Sequence, residues 1–138
     1  MRIMAIDYGD AHTGIAISDP TGFLTGFTTV INAYRPEAVA EQVASLAREH
    51  GAEELVLGHP LNMDGSRGPR AEKAEAMAEL LKAATSLPVV LWDERRTTID
   101  AHQILFNSGK NAKKRKKTVD AVAASLILEG YLTYRKNH

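Results

Sequence analysis

The sequence predicts an α/β protein in which a mostly parallel central sheet carries helices on its faces. Three observations lead there. Two short apolar runs near the start flank a glycine-containing turn, YGDAHT, which is a hairpin signal. Beyond them, segments of helical spacing alternate with brief apolar runs, the pattern of crossovers between parallel strands. The chain has 138 residues, 44% hydrophobic and 25% charged, values ordinary for one globular domain that buries roughly 68% of its unfolded surface.

Taken in order, residues 2–7 and 14–18 (GIAIS) read as the hairpin strands, and residues 27–31 as a third strand rich in aromatic and β-branched types. Residues 36–50 place Val39, Val43, Leu46 and Ala47 at helical spacing, with Pro36 suited to a first turn and Gly51 to a stop. Residues 55–58 form an apolar run of the kind a strand buried on both faces requires. A loop, HPLNMDGSRG, separates it from a helix over residues 69–86, lined by Ala74, Met77, Ala78, Leu81 and Ala84. Residues 88–92 (PVVLW) return to strand character. Thr97 is placed to cap a helix reaching about Asn107, with Asp100 as a short capping-box partner and Gly109 closing it. The last helix is expected over residues 118–134, with Val119, Val122, Ala123, Leu126 and Gly130 on one side. The total is a central sheet of about five strands, with no repeat and no second domain.

Composition excludes several classes. The chain contains no cysteine, so disulfides and thiolate metal sites are ruled out and any metal must be held by oxygen or histidine. No apolar run approaches the roughly 20 residues that span a bilayer, and no leader pattern precedes the first strand, which predicts a cytoplasmic protein without a membrane partner. Lysine plus arginine balance aspartate plus glutamate at 17 each. The neutral total conceals a segment, KNAKKRKK over residues 110–117, in which Lys110, Lys113, Lys114, Arg115, Lys116 and Lys117 meet no acid.

Three acids stand at element ends. Asp7 closes the first strand, Glu94 follows PVVLW, and Asp120 falls in the first turn expected for the last helix. In open α/β sheets the groups that meet a ligand gather at strand ends, so the three could converge. Carboxylates suit magnesium or manganese, and a pair of such ions about 3.5–4 Å apart can activate water and relieve charge on a phosphodiester. Each acid also has an ordinary reading: Asp120 at a helix dipole, Asp7 in a turn, Glu94 in a surface ion pair with Arg95 or Arg96. No one of them establishes a site.

Four ordered motifs carry a resemblance. DYGDAHTGIAISD from Asp7, GHPLNMDGSRGPRA from Gly58, DERRTTIDA from Asp93 and TVDAVAASLILEGYL from Thr118 resemble the successive signatures of the YqgF family across essentially the whole chain. These RuvX-like nucleases have the ribonuclease H-like fold and are associated with pre-16S rRNA processing or Holliday junction resolution. The resemblance implies a mixed sheet whose N-terminal strands are antiparallel. It also implies that Asp7, Glu94 and Asp120 are the catalytic, metal-binding residues, holding Mg2+ or Mn2+. Asp93 competes with Glu94, but neighbours on an extended segment point oppositely, and Glu94 is the expected ligand. Two positions depart from the family pattern: His12 stands where arginine or lysine is usual, and His59 where an apolar residue is usual.

Connectivity sets the basic segment beside the acids, so Lys113, Lys114, Arg115, Lys116 and Lys117 are expected to contact phosphate, weakening with salt and reading backbone rather than sequence. Arg67 and Arg70, in a loop of flap-like composition, and Arg95 are further expected contacts. The function expected is a metal-dependent nuclease that processes the 5′ end of pre-16S rRNA. Resolution of four-way DNA junctions, by a homodimer rather than a monomer, is the alternative. A nucleic-acid-binding module without catalysis is another. A sugar-kinase phosphate loop, suggested by D-x-G-x-x-x-x-G from Asp7 to Gly14, would need two such domains in a longer chain.

Overall fold

The computed structural model describes residues 1–22, 24–94 and 112–137, without the side chains of 112–120 and 137. In chain order the elements are β1 (Ile3–Asp7), β2 (His12–Ser18), β3 (Thr25–Asn32), α1 (Pro36–His50), β4 (Glu54–His59), α2 (Pro69–Thr85), β5 (Val89–Asp93) and α3 (Ala112–Asn137). The helix expected over residues 97–107 lies outside the described residues.

The five strands form one sheet in the order β3-β2-β1-β4-β5. The first two pairings are antiparallel and the last two parallel. The sheet is therefore evenly mixed, as the family resemblance implies, rather than mostly parallel. The connection from β2 to β3 is too short for a crossover, so β3 can only return as the third strand of a meander.

Strand alternation divides the core into two layers. Met4, Ile6, Ile15, Ile17, Leu55 and Leu57 face Val39 and Val43 of α1 and Met77 and Leu81 of α2. The opposite pleats, Ile3, Ala5, Ala16, Val56 and Trp92, are covered by Ala124, Ile127, Leu128 and Tyr131 of α3. Within α1, Pro36 occupies the first turn and Gly51, at φ 70°, forms the left-handed cap where its amide bonds the Ala47 carbonyl.

Two expectations for α3 are corrected. It begins at Ala112, so Lys113, Lys114, Arg115, Lys116 and Lys117 lie in helical backbone instead of a loop, and Asp120 sits well inside the helix instead of in its first turn. Alanine, lysine and arginine are strong helix formers, and no glycine or proline interrupts them before Thr118. The buried stripe also differs: Ala124, Ile127, Leu128, Tyr131 and Leu132 are buried, whereas Val122, Ala123 and Leu126 are only partly so. Because this helix is apolar around much of its circumference, periodicity alone leaves the docking face undecided.

The C-terminal end of α3 is pinned at the start of β4. There the Tyr131 hydroxyl donates to Glu54 Oε1 at 2.7 Å, and Arg135 pairs with the same oxygen at 3.6 Å. The helix thus runs antiparallel to β1 and β4. Trp92 packs against Gly130, where an added methyl would lie 3.3 Å from the indole, and meets Tyr131 edge-on at 5.8 Å. No helix among the described residues is long and apolar enough to cross a membrane.

Candidate active site at the carboxyl end of the sheet

Asp7 is the last residue of β1, and the chain must turn immediately after it. Gly9 makes that turn possible, since a side chain there would collide with the His12 carbonyl oxygen at 2.4 Å. The register pairs Ile6 with Leu57, so Asp7 stands beside Gly58, and Gly58 in turn pairs with Trp92 on β5. By alternation Asp7, Gly58 and Glu94 all belong to the sheet face that α3 covers.

The structure brings Asp7 and Glu94 together. Their carboxyl groups lie close enough to interact directly. Burial, this interaction and the nearby charge of Glu94 hold the Asp7 carboxyl well above the usual carboxylate range, and Arg70 partly offsets them. Two neighbouring acids, one of them held above the usual carboxylate range, form a ligand pair suited to a hard divalent cation, whose charge would favour the ionised form.

The third acid is placed only by its backbone. Position 120 lies eleven residues before Tyr131, or roughly 16 Å along the helix, while β4 rises roughly 13 Å from Glu54 to Gly58. Along the helix, position 120 thus precedes Tyr131 by a rise comparable with that of β4 from Glu54 to Gly58. It also shares a helical stripe with Ala124, Ile127, Leu128 and Tyr131 by spacing. The Asp120 side chain lies outside the described residues, as do Arg95 and the side chains of Lys113, Lys114, Arg115, Lys116 and Lys117. Among the described residues, no three histidines or acids cluster as a metal site.

Arg67 and Arg70 part company. Arg67 is exposed and engages both carboxylate oxygens of Glu75 through one guanidinium edge, Nε to Oε2 at 2.7 Å and Nη2 to Oε1. His59 Nε2 meets the same carboxylate at 2.7 Å, and together they pull Glu75 down to about 2. Arg70, in the first turn of α2, makes no hydrogen bond or ion pair among the described residues, yet its charge acts on Asp7. His12 is occupied with Asn32, Nδ1 to Oδ1 at 2.6 Å, at the far side of β2. Gly58 is the site residue that sequence reading missed: a glycine inside a buried strand signals close approach of another group.

Comparison with solved structures gives the class. RuvC of Thermus thermophilus, in a complex with Holliday junction substrate, superposes with a TM-score of 0.63, covering 99% of this chain and 96% of its own at 14% identity. The five-stranded mixed sheet with its flanking helices is thus the ribonuclease H-like fold.

More narrowly, the chain belongs to the RuvX family, described as Holliday junction resolvase, whose profile matches residues 1–134. Relatives proposed by name to be pre-16S rRNA nucleases include one from Halothermothrix orenii, 44% identical over 98% of this chain and 96% of its own. Another, from Listeria monocytogenes, is 44% identical over 96% of this chain and 97% of its own.

Proposed function

We propose that this chain is a divalent-metal-dependent endonuclease that processes the 5′ end of pre-16S rRNA in the cytoplasm. The observation that carries the reading is the contact between Asp7 and Glu94 at the end of β1, with Arg70 beside it. The rRNA substrate is supported by the names of relatives that match nearly end to end.

In this reading Asp7, Glu94 and Asp120 hold Mg2+ or Mn2+, which when bound supplies a Lewis acid at the scissile phosphate and a water of lowered pKa. Asp7, held above the usual carboxylate range without metal, would bind the ion in its ionised form. Arg70, whose charge acts on Asp7, offers a cation to a phosphate oxygen, with a guanidinium geometry suited to two hydrogen bonds. The basic first turns of α3, Lys113 to Lys117, together with Arg95, hold the backbone of the strand that enters. Arg67 joins them only by leaving Glu75.

The family description and the likeness to RuvC favour a second reading, cleavage of four-way DNA junctions by a homodimer. The test is cleavage of precursor rRNA and of junction DNA by purified protein with Mg2+, Mn2+ or chelator, beside Asp7→Asn and Asp120→Asn. Metal-dependent RNA products from the unaltered protein, absent from both variants, are expected. Junction products alone would move the assignment to DNA, and binding without cleavage under every metal would refute catalysis.

A further inference from the structure

Glu94 does not reach Asp7 by proximity in the sheet, because β4 lies between β1 and β5. The side chain must cross β4, and it does so directly over Gly58. A methyl group on Gly58 would lie 2.7 Å from Glu94 Oε1, 2.8 Å from Cδ and 2.9 Å from Cγ. Ordinary contacts between such atoms need about 3.5–4.0 Å. Three consecutive atoms of the side chain thus occupy the space of the missing Cβ, so rotating the carboxyl alone would not clear it.

We infer that Gly58 is a positioning residue: its bare α-carbon is the slot through which Glu94 crosses β4 to meet Asp7. The inference rests on the proposed function insofar as that pair holds metal. Its steric part stands independently, on the register that sets Asp7, Gly58 and the end of β5 side by side. Neither strand pairing nor a left-handed backbone calls for glycine here, since Gly58 is not among the residues with positive φ. Its neighbours Leu55, Val56 and Leu57 are bulky and fully buried. Clearing a methyl would shift the Glu94 carboxyl by roughly 1 Å, beyond the roughly 0.5 Å tolerance of a preorganised ligand site.

The test is a double-mutant cycle of Gly58→Ala with Glu94→Ala, followed by thermal unfolding of metal-free protein and by Mn2+ titration. Gly58→Ala alone is expected to weaken Mn2+ binding about 10- to 100-fold, the usual effect of disturbing support around a ligand. It should lower kcat with little change in KM for nucleic acid, and recover activity as Mn2+ is raised. In the Glu94→Ala background the added methyl should cost nothing further in melting temperature or Mn2+ affinity. If Gly58→Ala alone fails to fold, a folded double variant would still support the inference. A double variant that also fails to fold, or two effects that simply add, would overturn it by showing that Gly58 serves the strand. Should Glu94→Ala itself bind Mn2+ like the unaltered protein, the metal reading fails, while the melting cycle still decides what Gly58 does.

Discussion

Replacing Arg70 and Arg67 separately by alanine separates a phosphate-binding arginine from one already engaged. Arg70 is exposed, lacks an ion pair among the described residues and sits close enough to Asp7 to act on its ionisation. Removing one charge-assisted hydrogen bond to phosphate should weaken binding of a labelled RNA by about 10- to 100-fold at low salt. Loss of one phosphate contact should also flatten the dependence of log K on log salt by about 0.7–0.9. The deficit therefore shrinks about five- to eightfold for each tenfold rise in salt. The assay is fluorescence anisotropy in chelator, from about 50 to 500 mM salt, the range over which such slopes are well defined. Arg67→Ala should leave the slope unchanged, since in the folded chain the charge of that guanidinium is already paired with Glu75. Equal losses from the two variants, or the larger loss from Arg67→Ala, would refute the assignment.

Two further outcomes follow from the packing and the acid pair. Because Asp7 is raised above its unfolded value, the metal-free fold retains more protons than the unfolded chain, so stability falls as pH rises from near 4 through the raised value. Asp7→Asn should abolish that fall, giving a higher melting temperature than the unaltered protein at neutral pH and none of that advantage near pH 4. A lower melting temperature for the variant at neutral pH would contradict the pairing. Leu128→Ala empties a fully buried position where α3 meets the sheet and should cost about 2–5 kcal/mol by urea unfolding. A cost below about 1 kcal/mol would show that α3 is loosely docked.

Much of the fold was legible because local chemistry and tertiary packing agree. Pro36 and Gly51 bracket α1 at both ends, and the observed bounds match the expected ones. The start of α3 was not legible, since a run of lysines reports exposure to solvent and says nothing against a helix. Its docking face was equally hidden, because Val122, Ala123 and Leu126 compete with Ala124, Ile127 and Leu128 for the same sheet. Asp7 and Glu94 could be named from element ends and from the family motifs, yet their contact depends on an atom that Gly58 lacks, and periodicity has no term for an absence. The capture of Arg67 by Glu75 joins a loop to a helix eight residues on, a pairing no regular repeat encodes.

The docking of α3 against β1 carries a consequence for synthesis. Asp7 is made 113 residues before position 120, and Arg135 of the same helix reaches back to Met1. Such contacts between distant parts of a chain are slow to form and impossible until both parts exist. A growing polypeptide on the ribosome can lay down the meander and β4, but it cannot cover the sheet face that bears the acids. If all three acids are needed, a nascent copy lacking α3 has no cutting edge, so cleavage waits until translation has passed that helix.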